Sequence, residues 1–229
     1  MLKRLFTVSI ICMLCATMAG CLEIEEKVAI QQDGQSSSLL RLRLYLPKDQ
    51  KQKTPPEMDI KADDIGKGID GFESAKVTTR EVFGQLITEL SMKARSWKAL
   101  AKTYDTLPKE QEKKDQNVDV DQLFTEKGFY QLKNKGKTIQ ITRTFVPSNT
   151  KKKKEKKGEE GMGDLVSMLM GSIKLRLELD LPSDVVSSNA EEKDGRRLTW
   201  VIPLDYLSSH KVVLQAEIKA TPELVKALF

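Results

Sequence analysis

The chain has 229 residues, 39% of them hydrophobic and 31% charged, with 38 lysines and arginines against 33 aspartates and glutamates. A chain of this length buries a real core without staples, and charges so evenly mixed give no nucleic-acid footprint. The three cysteines all fall within the first 21 residues, so the rest of the chain, with a single histidine, has too few soft ligands for a zinc site.

The first 21 residues carry the clearest signal. Lys3 and Arg4 are followed by an uncharged run from Leu5 to Ala16, then by Met18-Ala19-Gly20-Cys21. Basic, then apolar, then small is the order of a secretory signal peptide, and the apolar core is too short to cross a bilayer as a mature helix. The last four residues resemble the lipobox of bacterial lipoproteins, usually Leu-Ala/Ser-Gly/Ala-Cys, with Met18 in place of leucine. That resemblance implies a signal peptide over residues 1–20, cleavage before Cys21, and acylation of its thiol and new amino group. An uncleaved anchor, or a buried helix with incidental cysteines, is the plainer alternative. Two or more acyl chains anchor a protein stably, since each buried CH₂ contributes ~0.8 kcal/mol. Leu22 stands where an Asp commonly signals inner-membrane retention in such lipoproteins. By the same resemblance it points to the outer membrane, facing the periplasm. Cys12 and Cys15 fall in the discarded segment, so residues 22–229 form no disulfide even in an oxidising compartment. Loss of Lys3 and Arg4 leaves 36 basic against 33 acidic side chains, a net charge of +3.

From Leu22 onward, alternation with period two dominates. Leu22, Ile24, Val28 and Ile30 predict a first strand, Asp33-Gly34 a hairpin turn, and Leu40, Leu42, Leu44 and Leu46 one face of the return strand, ended by Pro47. Thr54-Pro55-Pro56-Glu57 reads as a helix start, with Met58, Ala62, Ile65 and Ile69 on one helical face and Gly68 and Gly71 closing it. Strands are expected over 73–80 and 85–94 around Gly84. Ser96 caps a short helix that puts Trp97, Leu100, Ala101, Tyr104 and Leu107 on one face. Residues 108–121 read as a charged loop. A hairpin follows over 128–132 and 137–145, turning at Asn134-Lys135-Gly136.

Residues 147–163 break the composition: a lysine-rich, then acidic and glycine-containing stretch, read as a mobile loop. Its cations Lys151, Lys152, Lys153, Lys154, Lys156 and Lys157 suit anionic lipid headgroups, or simply a solvated loop tip. The uncharged Leu165, Val166, Met168, Leu169 and Met170 come next. They suit either contact with a lipid or apolar ligand, methionine being an adaptable apolar surface, or a core helix. Then Ile173, Leu175, Leu177, Leu179 and Leu181 alternate with Lys174, Arg176, Glu178 and Asp180 until Pro182. Residues 191–195 read as a turn. Leu198, Trp200 and Ile202 mark a strand, Val212 to Ile218 the last one, and Thr221-Pro222 opens a terminal helix.

The pattern gives an α+β fold over residues 21–229: a curved, mainly antiparallel sheet of roughly seven to nine strands with about three short helices. So few helices barely cover such a sheet. It must curl on itself, pack as two layers, or enclose an apolar cavity.

Motifs for chemistry do not hold up. Gly66 to Gly71 spells G-x-G-x-x-G, but a helical pattern precedes it and a strand follows, the reverse of a dinucleotide site. Asn117, Asp119 and Asp121 have the opening spacing of a calcium loop, yet Gln122 stands where glycine is needed and Gly128 where the bidentate glutamate belongs. His210 has no nucleophile patterned around it. No cofactor, metal or catalytic residue is expected, and the chain reads as a non-enzyme.

The arrangement resembles the LppM-type lipoprotein domain. The resemblance rests on the run from Cys21 through the Asp-Gly hairpin to Leu46, the strand Ile173–Pro182, the turn containing Asn189, Asp194 and Gly195, and Thr199-Trp200-Val201-Ile202-Pro203. It covers the two ends better than the middle, and the lysine-rich insertion departs from it. It implies an α+β domain of lipid-binding shape with an apolar or lipid ligand and no catalytic residue. Two function classes stay open: a membrane-anchored domain that binds a lipid or other apolar ligand, and an anchored structural or protein-interaction module.

Overall fold

The computed structural model describes residues 22–45, 62–107, 129–147 and 173–229. The helix start at Thr54, the 108–121 loop and the Asn117–Asp121 spacing lie outside them. Eleven strands fall among the described residues. A seven-stranded sheet has the order β3-β4-β2-β1-β7-β10-β9, and a four-stranded sheet the order β5-β6-β11-β8.

β1 (Leu22–Ile30) and β2 (Ser36–Tyr45) pair around the Asp33-Gly34 turn, where Gly34 has φ +87° and a Cβ would meet the Ala227 carbonyl oxygen at 2.5 Å. β3 (Phe72–Val82) and β4 (Gln85–Ala94) pair around Phe83-Gly84. In α1 (Trp97–Thr106), the Ser96 side chain accepts from the Ala99 amide, and Trp97, Leu100 and Tyr104 turn inward. β5 (Gln131–Asn134) and β6 (Thr138–Phe145) form the predicted second hairpin. β7 (Lys174–Asp180) then returns to the large sheet. β8 (Val185–Ser188) joins the small sheet, and β9 (Glu192–Asp194) and β10 (Arg197–Pro203) close the large one. The chain ends with α2 (Leu204–Ser209), β11 (Val212–Lys219) and α3 (Pro222–Leu228), whose Thr221 cap accepts from the Leu224 amide.

Several features differ from the sequence reading. β1 and β7 run parallel, so the large sheet is mixed. Residues 192–194, read as part of a turn, are a strand. The helical face drawn through Ala62, Ile65 and Ile69 is a 3₁₀ turn at Ala62–Asp64 followed by turns, with positive φ at Gly66, Gly68 and Gly71. Three left-handed residues so close together cannot sit in one α-helix.

The two sheets pack as layers. Leu175, Leu177 and Leu179 of β7 and Leu198, Trp200 and Ile202 of β10 share one core with Ile139, Ile141, Leu214, Ala216 and Ile218 of the small sheet. Each fully buried leucine contributes about 2 kcal/mol relative to exposure. Asn189 ties the layers at one edge. Its Oδ1 accepts from Trp200 Nε1 at 3.1 Å and from the Gln215 amide at 2.8 Å, while Nδ2 donates to the Val213 carbonyl at 2.7 Å. No helix among the described residues is long and apolar enough to cross a membrane.

Candidate functional site

The residues singled out from sequence for contact with membrane or ligand lie outside the described residues. They are Cys21, Lys151 to Lys154, Lys156, Lys157, Leu165, Val166, Met168, Leu169 and Met170.

Glu26 occupies the apolar phase of β1, between Ile24 and Val28. Arg143 occupies the apolar phase of β6, between Ile141 and Phe145. Facing each other across the layers, they form an ion pair of 2.5 Å between Arg143 Nη1 and Glu26 Oε2, with side chains 3% and 0% exposed. The guanidinium lies 4.8 Å from the Phe145 ring centre and 5.1 Å from that of Tyr130. Trp97, Phe129 and Tyr104 stack beside it, with centroid spacings of 4.8 and 4.0 Å, and the Tyr104 hydroxyl bonds the Ser38 hydroxyl. Burial raises both the Tyr104 and the Tyr130 phenol well above the ordinary value, with the Glu26 charge adding to it. Burial lowers the Arg143 value, but the Glu26 carboxylate outweighs it and the guanidinium stays charged. Glu26 Oε1 and the Tyr130 hydroxyl make no hydrogen bond among the described residues. The sequence signal for this cluster was available: a single charge on the apolar phase of each of two strands.

Beside this dry region, the same inner face is only half covered. Leu22 of β1, Leu40, Leu42 and Leu44 of β2, and Val77 of β3 continue the apolar phase but are half-buried, whereas Leu86 and Leu90 of β4, between β2 and β3, are buried and Leu175, Leu177 and Leu179 fully so.

The outer face is a charge lattice. Arg41 bridges Glu25 and Glu89 at 2.6 Å each, Lys27 bridges Glu25 at 3.1 Å and Glu178 at 2.9 Å, and Arg176 meets Glu178 at 2.9 Å. Burial alone would raise Glu178, but hydrogen bonds from Lys27 and Arg176 outweigh it and lower its pKa. The bond to Glu178 leads in raising Lys27. Two open depressions lie here, of about 370 Å³ beside Lys27, Ser37 and Ser91 and about 280 Å³ beside Glu23, Arg43 and Lys174. The carboxylates Glu25 and Glu178 are each held by two or more cations, the arrangement of a structural ion-pair lattice. Among the described residues, no group of three His, Cys, Asp or Glu could hold a metal ion. His210 is exposed, stacked on Tyr206 at 4.2 Å, with Nδ1 2.8 Å from Ser209 Oγ.

No family model and no curated protein matches the sequence. In fold the chain is similar to the folded domain of Mycobacterium tuberculosis LppM, known from an NMR structure. The TM-score is 0.51, the alignment covers 90% of this chain and 94% of that one, and sequence identity is 11%. The α+β architecture that the sequence resemblance implied is thus the one found. At this identity the likeness is one of fold.

Proposed function

We propose that the chain is a non-catalytic lipoprotein of the bacterial cell envelope. It is cleaved before Cys21, held by acyl chains on that residue, and binds a lipid or other apolar ligand on the inner face of its large sheet. The observation that carries this reading is the strip of Leu22, Leu40, Leu42 and Leu44 on β1 and β2, with Val77 beyond the buried Leu90, apolar side chains of the inner face that are incompletely buried. Burying such a strip is favourable by ~25 cal/mol per Å². The likeness in fold to the LppM domain agrees with it. Leu22 after the acylated cysteine favours the outer membrane, facing the periplasm. Leu165, Val166, Met168, Leu169 and Met170 are the proposed further contacts for the ligand, and Lys151 to Lys154, Lys156 and Lys157 for anionic headgroups.

The anchored interaction module is favoured by a different observation: the interior beneath β1, β7 and β10 is filled and locked by Glu26 and Arg143. Binding of cis-parinaric acid to the purified lipidated chain separates the two. The ligand reading expects saturable binding that Leu44→Glu weakens, because this half-buried side chain lies on the strip. No binding by the unaltered chain would leave the interaction module. Anchoring is tested separately: Cys21→Ser should give an unprocessed chain that incorporates no labelled palmitate, and an acylated, processed product would contradict it.

A further inference from the structure

The β3–β4 hairpin breaks a local rule with no return in packing. Val82 pairs with Gln85, so Phe83 and Gly84 form a two-residue loop, and their φ values are +52° and +75°. Two positive φ values in such a loop are the type I′ turn, which favours Asn-Gly. A bulky aromatic residue in the left-handed region is an outlier. Phe83 is also 101% exposed, so nothing in the fold rewards the ring. An outlier of this kind points to a function outside the folded core.

Its position gives the function. Leu22 pairs with Leu44, Leu44 with Leu86, and Leu86 with Glu81. The start of β1 and the hairpin tip therefore lie at the same end of the sheet. The tip stands roughly 12 Å to the side of β1, at ~4.8 Å per strand, and two residues beyond the level of Leu22. Cys21 is bonded directly to Leu22. The same end holds α2, because Pro203 pairs with Lys174, Lys174 is level with Glu23, and the Leu204 amide donates to the Ile173 carbonyl at 3.0 Å. There Tyr206 is 48% exposed, and the chain continues into β11, whose Val212 faces Phe145 next to the exposed Val146. Of the seven exposed large hydrophobics among the described residues, Val82, Phe83, Val146 and Tyr206 thus gather at the Leu22 end. Phe229 lies at the other end, its carbonyl bonded by Lys98 and its helix packed under the Gly34 turn. Arg80, Lys174 and Lys211 are exposed at the Leu22 end, as are Glu23, Glu81 and Asp205. With charges so mixed, the aromatic and aliphatic side chains dominate the surface chemistry there.

We infer that the tip Val82-Phe83, with Tyr206 at the same end of the sheet on the other side of β1, seats in the interfacial layer of the phospholipid bilayer that holds Cys21 and fixes the domain end-on to that membrane. Aromatic rings favour this layer, and long cationic side chains beside them reach the headgroups. A lipid chain on Cys21 alone leaves the domain free to tumble; a second contact to the side of it sets orientation. The inference rests on the acylation of Cys21 proposed above.

Brominated-lipid quenching in vesicles of phosphatidylethanolamine and phosphatidylglycerol tests it, with the full chain purified in its lipidated form. Trp97 and Trp200 are buried and give a constant background. Phe83→Trp should shift to the blue on reconstitution and be quenched by lipids brominated at shallow acyl positions, whereas Phe229→Trp should show neither effect. In a Tyr206→Trp chain, adding Phe83→Asn should reduce quenching, since asparagine suits the turn but lacks the ring. Co-flotation with vesicles reads the anchor independently. A chain that floats while Phe83→Trp keeps the same unquenched emission as Phe229→Trp overturns the inference and leaves the anchor standing. A chain that does not float overturns the anchor, and the membrane-seated tip with it.

Discussion

Glu25 and Glu26 are neighbours on β1, yet they belong to two different kinds of protein surface. Glu25 faces outward into a lattice where Arg41, Lys27 and Arg43 all approach it. Glu26 faces inward and has one cation, Arg143, with a carboxylate oxygen left without a hydrogen bond among the described residues. The outer face spreads each charge over several partners in partial contact with water, so no single pair matters much. The inner face concentrates everything on one pair that cannot be solvated if broken.

The largest effect expected from this contrast is at Glu26. Glu26→Leu leaves the Arg143 guanidinium buried and unpaired, and should cost about 3–5 kcal/mol in urea denaturation. Adding Arg143→Met should recover most of that loss, because two apolar residues replace the pair. Glu25→Leu, on the outer face, should cost about 1 kcal/mol or less. Equal losses at the two glutamates would erase the distinction between the faces.

Leu177 and Arg176 sharpen it on a second strand. Leu177 is fully buried and level with Glu26 in register. Leu177→Asp adds a second buried carboxylate beside the first and should cost several kcal/mol or unfold the domain. Arg176→Asp loses a partly exposed contact to Glu178 and should cost about 1 kcal/mol. A chemical melt of each variant checks the ratio.

The two faces should also separate by pH, with smaller effects. Inside, the folded state holds the Tyr104 and Tyr130 phenols neutral above their ordinary value of 10.0. Their contribution is complete below about pH 10 and is lost as the pH rises from there toward their higher folded values, because the unfolded chain gives up those protons first. Absorbance at 295 nm should show two tyrosines ionising only with unfolding. Outside, Glu178 has a folded value below the ordinary 4.5. Its contribution is present above that value and fades as the pH falls through the lower folded one. Glu178→Gln should flatten that acid limb slightly and leave the alkaline one unchanged.

Most of the strands were legible because each alternates cleanly. Gln85–Ala94 was read to the residue, and the Ser96 cap fixed where α1 begins. β8 was missed because Val185–Ser188 is four residues long and carries no buried residue. β9 hid in a run of Glu, Lys and Asp whose strand character comes from pairing with β10. α2 has six residues and no side-chain cap. The parallel pairing of β1 with β7 is invisible locally, since either strand would alternate in the same way beside an antiparallel partner. The Glu26–Arg143 pair needed both strands to be seen facing each other. Phe83 stood in plain view before Gly84, but its exposure and positive φ required the register of the hairpin.

The proposed function places an apolar ligand on the inner face of the large sheet, beside its dry, locked half. Native mass spectrometry of the lipidated chain, purified from the membrane of its host and released gently from detergent, tests it directly. Lipid binding gives a bound species heavier than the acylated chain by the mass of one lipid, lost on mild activation and depleted in Leu44→Glu. A single species at the mass of the acylated chain alone, in both the unaltered protein and the variant, would contradict it.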